Sequence, residues 1–154
     1  MRYSGRLRLL LDTTYLLPVV GIEIVGVERA LEALQRLRRQ RRVEIYYSCY
    51  SILEALWKLA KLSYDPEVVG RGLSLIEEEF KPALPSIEGY LRALELRRKG
   101  FPDFIDLLLY ATALSNGLSF LTRDTHLLSF LSEVGEETSA VLLEEDFLRE
   151  HARL

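Results

Sequence analysis

The chain has 154 residues, 49% of them hydrophobic and 28% charged, a composition that fits one globular domain and excludes disordered and fibrous classes. A chain of this length buries roughly 68–70% of its unfolded surface around one core. The net charge of −3 gives no general attraction for nucleic acid or anionic membranes, so a polyanionic partner must be held by local basic clusters or through bound metal.

Arg2, Arg6 and Arg8 precede an apolar stretch in the manner of a signal peptide. Asp12, Pro18 and Glu23 break that stretch, and no small-residue cleavage site is apparent. No uninterrupted apolar run reaches the length of about 20 residues that a membrane span requires. Leu7 to Asp12 therefore reads as a buried parallel strand with an acid and two threonines at its carboxyl end. Val27, Ala30, Leu31, Leu34 and Leu37 recur at helical spacing and predict a helix from about Val27 to Arg39. The basic run Arg36 to Arg42 closes it, and Val43 to Tyr47 reads as a second strand.

Ser48 to Ser51 turns into an expected helix over Ile52 to Leu62. Asp65-Pro66 marks an N-cap and first turn of a helix reaching about Phe80. Lys81 to Ser86 reads as a turn or short extended piece, and Ile87 to Lys99 as a helix stopping at Gly100. Pro102 opens a strongly apolar helix to about Ser115, ended by Asn116-Gly117. Leu118 to Thr122 is a further strand, Leu127 to Val134 a short helix, Ala140 to Leu143 a last strand, and Glu144 onward a last helix. No repeat or linker divides the chain, so a single domain over 1–154 is expected. Alternation of this kind predicts a three-layer α/β/α sandwich with a mostly parallel central sheet, which binds ligands outside the carboxyl ends of its strands.

Acids recur where that edge should lie, and each has a local explanation as well. Asp12 follows a strand and could cap a turn. Glu54 sits in Ser51-Ile-Leu-Glu54, the pattern of a capping box. Asp103 suits a helix cap after Pro102, and Asp124 could N-cap the helix behind it. Asp106 is harder to explain locally, because it lies on the most apolar helix, where an unpaired buried carboxylate is costly. Taken together, Asp12, Glu54, Asp106 and Asp124 predict one carboxylate cluster, whose repulsion an oxygen-loving divalent cation offsets. Neither GxGxxG nor GxxxxGK[ST] occurs, and no Ser-His-Asp or Cys-His arrangement is visible. Cys49 is the only cysteine, which rules out an intramolecular disulfide and suits a reducing, cytoplasmic setting.

Leu-Leu-Asp12-Thr-Thr, Ser-Ile-Leu-Glu54-Ala-Leu, Asp106-Leu-Leu-Leu-Tyr-Ala-Thr-Ala113 and Leu-Thr122-Arg-Asp124 resemble the PIN-domain nucleases, of which VapC-type toxins are small members. The resemblance covers essentially the whole chain. It implies a Rossmann-like sandwich and a Mg²⁺- or Mn²⁺-dependent endonuclease, usually acting on RNA. Asp12, Glu54, Asp106 and Asp124 match the family's acidic quartet, with Thr14 and Thr122 as its hydroxyl-bearing neighbours; Asp103 matches no invariant position of the family and is only a candidate accessory ligand. The resemblance also implies two partners, an antitoxin protein and a second copy of the chain in a homodimer. The basic candidates for RNA backbone contact are Arg38, Arg39, Arg41 and Arg42, and separately Arg97, Arg98 and Lys99; each can also be a solvated helix end favoured by the dipole. Haloacid-dehalogenase phosphatases also place an Asp after a first strand, but need a second acid two residues on, where Thr14 stands. A catalytically inactive PIN-like scaffold or RNA-binding module is the non-enzymatic alternative.

Overall fold

The computed structural model describes residues 5–151; Arg2 and the last three positions of the expected terminal helix lie outside them. Five strands form one all-parallel sheet in the order β3-β2-β1-β4-β5: β1 Leu7–Leu11, β2 Val43–Ser48, β3 Lys81–Ala83, β4 Ser119–Thr122 and β5 Val141–Leu143. The expected mostly parallel sheet is therefore parallel throughout the described residues. Among the described residues eight helices accompany it: α1 Thr13–Leu16, α2 Glu28–Arg39, α3 Cys49–Leu59, α4 Pro66–Glu79, α5 Ile87–Arg98, α6 Phe104–Asn116, α7 Thr125–Glu133 and α8 Glu144–His151. A 3₁₀ turn, Leu17–Val20, comes directly after α1.

β1 is the spine of the molecule. Leu9 and Leu11 point into a core closed by α2, α4 and α8 through Leu34, Leu37, Ile76 and Phe147. Leu10 points the other way, into a core built by α5, α6 and α7 through Leu96, Leu107, Leu109, Leu127 and Leu131. The alternation of side chains along a strand makes this possible, and it explains why β1 reads as apolar at consecutive positions. Successive connections carry the chain outward from β1 to β2 and β3, then back across to β4 and β5. The direction changes between β1 and β4, and their diverging carboxyl ends open the crevice where parallel sheets bind ligands.

Three local differences from the sequence expectation bear on that crevice. The segment after Asp12 turns at once into α1 and the 3₁₀ turn, which fold back under α4: Gly72 of α4 lies so close to the Val19 carbonyl that a Cβ would collide with it. Secondly, α3 starts three residues earlier than expected. Ser48, not Ser51, is its N-cap, accepting from the Tyr50 amide at 3.0 Å. Ser51 is fully buried inside the first turn and accepts from the Thr13 hydroxyl at 2.9 Å, tying α1 to α3. The capping-box reading of Ser51 and Glu54 is therefore wrong, and Glu54 lies in the second turn. Thirdly, Pro102 stands before α6 rather than in it, with Asp103 as N-cap accepting from the Asp106 amide at 3.2 Å. The α6 helix stops as expected at Asn116, with Gly117 in the left-handed conformation at φ 64°.

Candidate active site

One cavity of about 370 Å³ opens at the β1–β4 crevice, and Asp12, Thr14, Glu54, Asp103, Asp106 and Asp124 all line it. Separate pieces of chain deliver them. Asp12 ends β1, with its amide bonded to the Leu121 carbonyl of β4 at 3.1 Å. Asp124 comes just after β4 and N-caps α7, accepting from the His126 and Leu127 amides at 2.9 and 3.2 Å through one oxygen, Oδ1. Capping and function are thus compatible there, since Oδ2 takes no part in the cap. Asp103 and Asp106 open α6, where the helix dipole favours negative charge. Glu54 reaches the cavity from the second turn of α3, half-buried, with no N-terminal cap role.

Thr122 joins two of these acids. Its hydroxyl donates to Asp12 Oδ2 at 2.6 Å and accepts the Asp124 amide at 3.1 Å, in a fully buried position. A threonine at the end of β4 therefore fixes the carboxylate at the end of the neighbouring strand.

The electrostatics of the cavity are unfavourable as they stand. Burial, followed by the carboxylates of Asp12, Asp103 and Asp124, pushes Asp106 up to about 9. Burial also raises Asp12, to about 6, with Glu54 and Asp124 adding to the rise and the Thr122 hydroxyl and Thr14 amide opposing it. These causes link all five acids to one another. The cations among the lining residues are Lys58 and Arg123, fewer than the carboxylates they face.

That donor set fits a hard divalent cation: every acidic donor is a carboxylate oxygen, and neither thiol nor imidazole lines the cavity. Among the described residues, no three His, Cys, Asp or Glu side chains stand in an arrangement that could hold an ion directly. Magnesium keeps several waters and takes only one or two carboxylates directly. The cavity fits a hydrated ion better than a dry cage.

Sequence reasoning missed Lys58 and Arg123. Lys58 lies one helical turn beyond Glu54, a spacing that could have flagged it once Glu54 was singled out. Arg123 sits between Thr122 and Asp124; it donates to the Val25 carbonyl at 3.1 Å and approaches Glu144 at 3.5 Å. The basic residues that sequence reasoning did single out lie elsewhere. Arg38 and Arg39 end α2, and Arg41 and Arg42 lead into the start of β2, at the amino edge of the sheet. α5 runs antiparallel to α6, its Ser86 cap and Gly89 meeting Ser115 near the end of α6. Arg97, Arg98 and Lys99 therefore stand towards the end from which α6 begins, but none of the seven lines the cavity.

Fold and cavity together define a doubly wound parallel α/β domain with an acid-lined switch point. The PIN domain family model matches residues 9–133, most of the chain, and the chain belongs to the PIN domain family. Among solved structures it is similar to VapBC2 from Rickettsia felis bound to a DNA fragment from their promoter, with a TM-score of 0.63, 17% identity, and 90% of this chain and 98% of that one covered. It is similar also to PAE2754 from Pyrobaculum aerophilum, with a TM-score of 0.55, 22% identity, and coverage of 96% and 92%. FitAcB from Neisseria gonorrhoeae gives a TM-score of 0.54, 19% identity, and coverage of 88% and 95%. At these identities the likeness is one of fold. No curated protein matches the chain in sequence. No helix among the described residues is long and apolar enough to cross a membrane.

Proposed function

We propose that the protein is a divalent-metal-dependent endoribonuclease that cuts RNA phosphodiester bonds at the β1–β4 crevice. The observation that carries this reading is the gathering of five carboxylates from four separate pieces of chain around one cavity, against two cations. Asp12, Glu54, Asp106 and Asp124 would hold Mg²⁺ or Mn²⁺, with Asp103 and Thr14 as accessory groups at the rim. Such an ion, when bound, lowers the pKa of a coordinated water and offsets charge on the phosphate and leaving oxygen. The chain's own contribution is positional. Thr122 bonds the Asp12 carboxylate and the Asp124 amide, which would hold these two proposed ligands at a fixed spacing. Lys58 and Arg123, both in the cavity lining, would grip non-bridging phosphate oxygens and orient the scissile group.

The partners implied by the family resemblance complete the proposal: an antitoxin protein, which makes this chain the toxin of a pair, and a second copy in a homodimer. Support for a protein partner comes from an exposed apolar face on α3 and α5, where Leu53, Leu56, Trp57, Ile87, Leu91 and Leu94 flank the Tyr50–Tyr90 hydroxyl contact of 2.5 Å. The cleavage test is incubation of labelled RNA with purified protein and Mg²⁺ or Mn²⁺, with and without chelator, beside Asp12→Asn. Cleavage that needs metal and vanishes in Asp12→Asn is expected. Inactivity on a broad RNA panel would sink the proposal and leave the scaffold reading.

A further inference from the structure

The amino edge of the sheet carries a second charged feature, opposite in sign to the first. Arg6 and Arg42 directly precede the paired residues Leu7 and Val43, so they stand side by side where β1 and β2 begin. On one flank, Arg6, Arg8 and Lys81 approach a single carboxylate, Glu44, at 3.7, 3.6 and 3.2 Å. Three cations on one acid leave that cluster positive. On the other flank, Arg38 pairs with Glu79, while no ion pair among the described residues involves Arg39, Arg41 or Arg42. The overall charge of −3 conceals an edge that is strongly basic.

The end of α2 supplies an independent observation. The Arg42 amide bonds to the Leu37 carbonyl at 2.9 Å and the Arg41 amide to the Arg38 carbonyl at 3.0 Å. This helix-ending pattern places Arg41 in the left-handed region at φ 57°, a position where glycine is the favoured residue. Arg41 thus carries a charged side chain on a backbone conformation that costs a non-glycine residue energy, and strain of this kind clusters at functional sites.

The edge also resembles a phosphate surface more than a protein interface. It is built mainly of guanidinium groups, whose donor forks match phosphate oxygens. Tyr46 lies beneath Arg8 and Lys81 at 5.3 and 5.9 Å, and Phe80 beneath Arg38 at 5.4 Å, so rings hold several cations in place. The apolar anchors that protein partners require, such as Trp57 and Leu91, lie on α3 and α5 instead.

We propose that the amino edge is a nucleic-acid contact separate from the acid-lined cavity, holding RNA by its phosphates several nucleotides from the bond that is cut. Arg6 and Arg42 precede β1 and β2, so the length of β1, about 13 Å at about 3.3 Å per residue, separates them from the end of β1; Lys81, level with Leu10, joins this cluster through its side chain on Glu44. The proposal deepens the nuclease reading, and its test runs in chelator, where no metal-dependent cleavage occurs.

Binding of a labelled oligouridine is followed by fluorescence anisotropy in EDTA across a salt series, with a labelled DNA duplex in parallel to separate RNA from any phosphodiester backbone. Arg39→Gln, Arg41→Gly and Arg42→Gln combined should weaken RNA binding at least about tenfold. The salt slope should fall by about 2, since it changes by about 0.7 for every single-strand phosphate no longer neutralised. Arg41→Gly alone should weaken binding while melting no lower than wild type, an outcome that a purely structural arginine would not produce. Asp12→Asn should bind RNA at least as well as wild type. With cleavage measured separately, a few-nucleotide substrate should be cut equally well by wild type and the triple variant, whereas a long one should not. Absent binding in EDTA, or binding untouched by the triple variant, overturns the proposal. Displacement by polyglutamate at lower charge concentration than by unlabelled RNA assigns the edge to an acidic protein and also overturns it. If binding behaves as expected but no RNA is ever cleaved, the nuclease reading fails and this contact stands.

Discussion

The two edges of the sheet are built from the same strands and carry opposite charge. At the carboxyl edge, five acids line one cavity against Lys58 and Arg123. At the amino edge, Arg6, Arg8 and Lys81 crowd one glutamate beside the arginine-rich end of α2. Parallel topology makes this sorting possible: every strand starts at one edge and ends at the other, so residues just before strands gather on one side and residues just after them on the other. The two regions also differ in how their charge is held. The basic edge is exposed to solvent, and its ion pairs contribute little to stability. The acidic cavity encloses Asp12 and Asp106, both buried, so its repulsion costs the fold something that a counterion would relieve.

This difference is open to attack where the acidic side is most strained. Asp106→Asn should reduce cleavage by more than about a hundredfold, exceeding the usual cost of losing a group behind a metal ligand. It should also change the pH dependence of stability in chelator. The folded carboxyl keeps its proton up to about 9, whereas the unfolded one ionises in the ordinary carboxylate range. Between those limits folding takes up a proton, so wild-type stability should fall as pH rises through the window. Urea denaturation across that range should show a flatter profile for Asp106→Asn and higher stability at the alkaline end. A variant that unfolds instead would make Asp106 a structural partner.

Thr122→Val keeps the shape and removes the hydroxyl that joins Asp12 to Asp124. It should lower metal affinity and cleavage by about 10–100-fold and cost about 1–3 kcal/mol of stability through the broken bonds. Unchanged metal binding would show that the acids hold their spacing unaided. Glu54→Gln should lower cleavage at least about tenfold with stability in chelator unchanged or raised, because it sits outside the α3 cap and faces like charges. Ser48→Ala is the matching control: a capping loss of about 1 kcal/mol with normal cleavage by the folded protein. If Glu54→Gln cuts at the wild-type rate, the site has three principal acids.

The strand and helix order was legible because buried parallel strands leave apolar runs and their crossover helices a helical period. Asp12, Asp106 and Asp124 stood out because each ends or opens such an element. The start of α3 was not legible, since Ser48 and Ser51 are equally good caps locally; in the fold Ser48 caps the helix and Ser51 is buried against Thr13. The short helix and 3₁₀ turn over Thr13 to Val20 carry no periodicity over so few residues, and the close approach of Val19 to Gly72 comes from a distant helix. Lys58 and Arg123 belong to no pattern and gain meaning only from the cavity they share. The separation of the basic residues from the acids needed strand direction, which composition and local spacing do not encode.

Binding of Mn²⁺ to the purified protein, followed by electron paramagnetic resonance, tests the acidic cavity most directly because it requires no knowledge of the RNA. Wild type should bind the ion, while Asp12→Asn and Asp106→Asn should each lose affinity at least about tenfold, as removal of a direct or close carboxylate demands. Wild type that binds no Mn²⁺, or variants that bind it as tightly, would contradict the assignment of the β1–β4 crevice as a metal site.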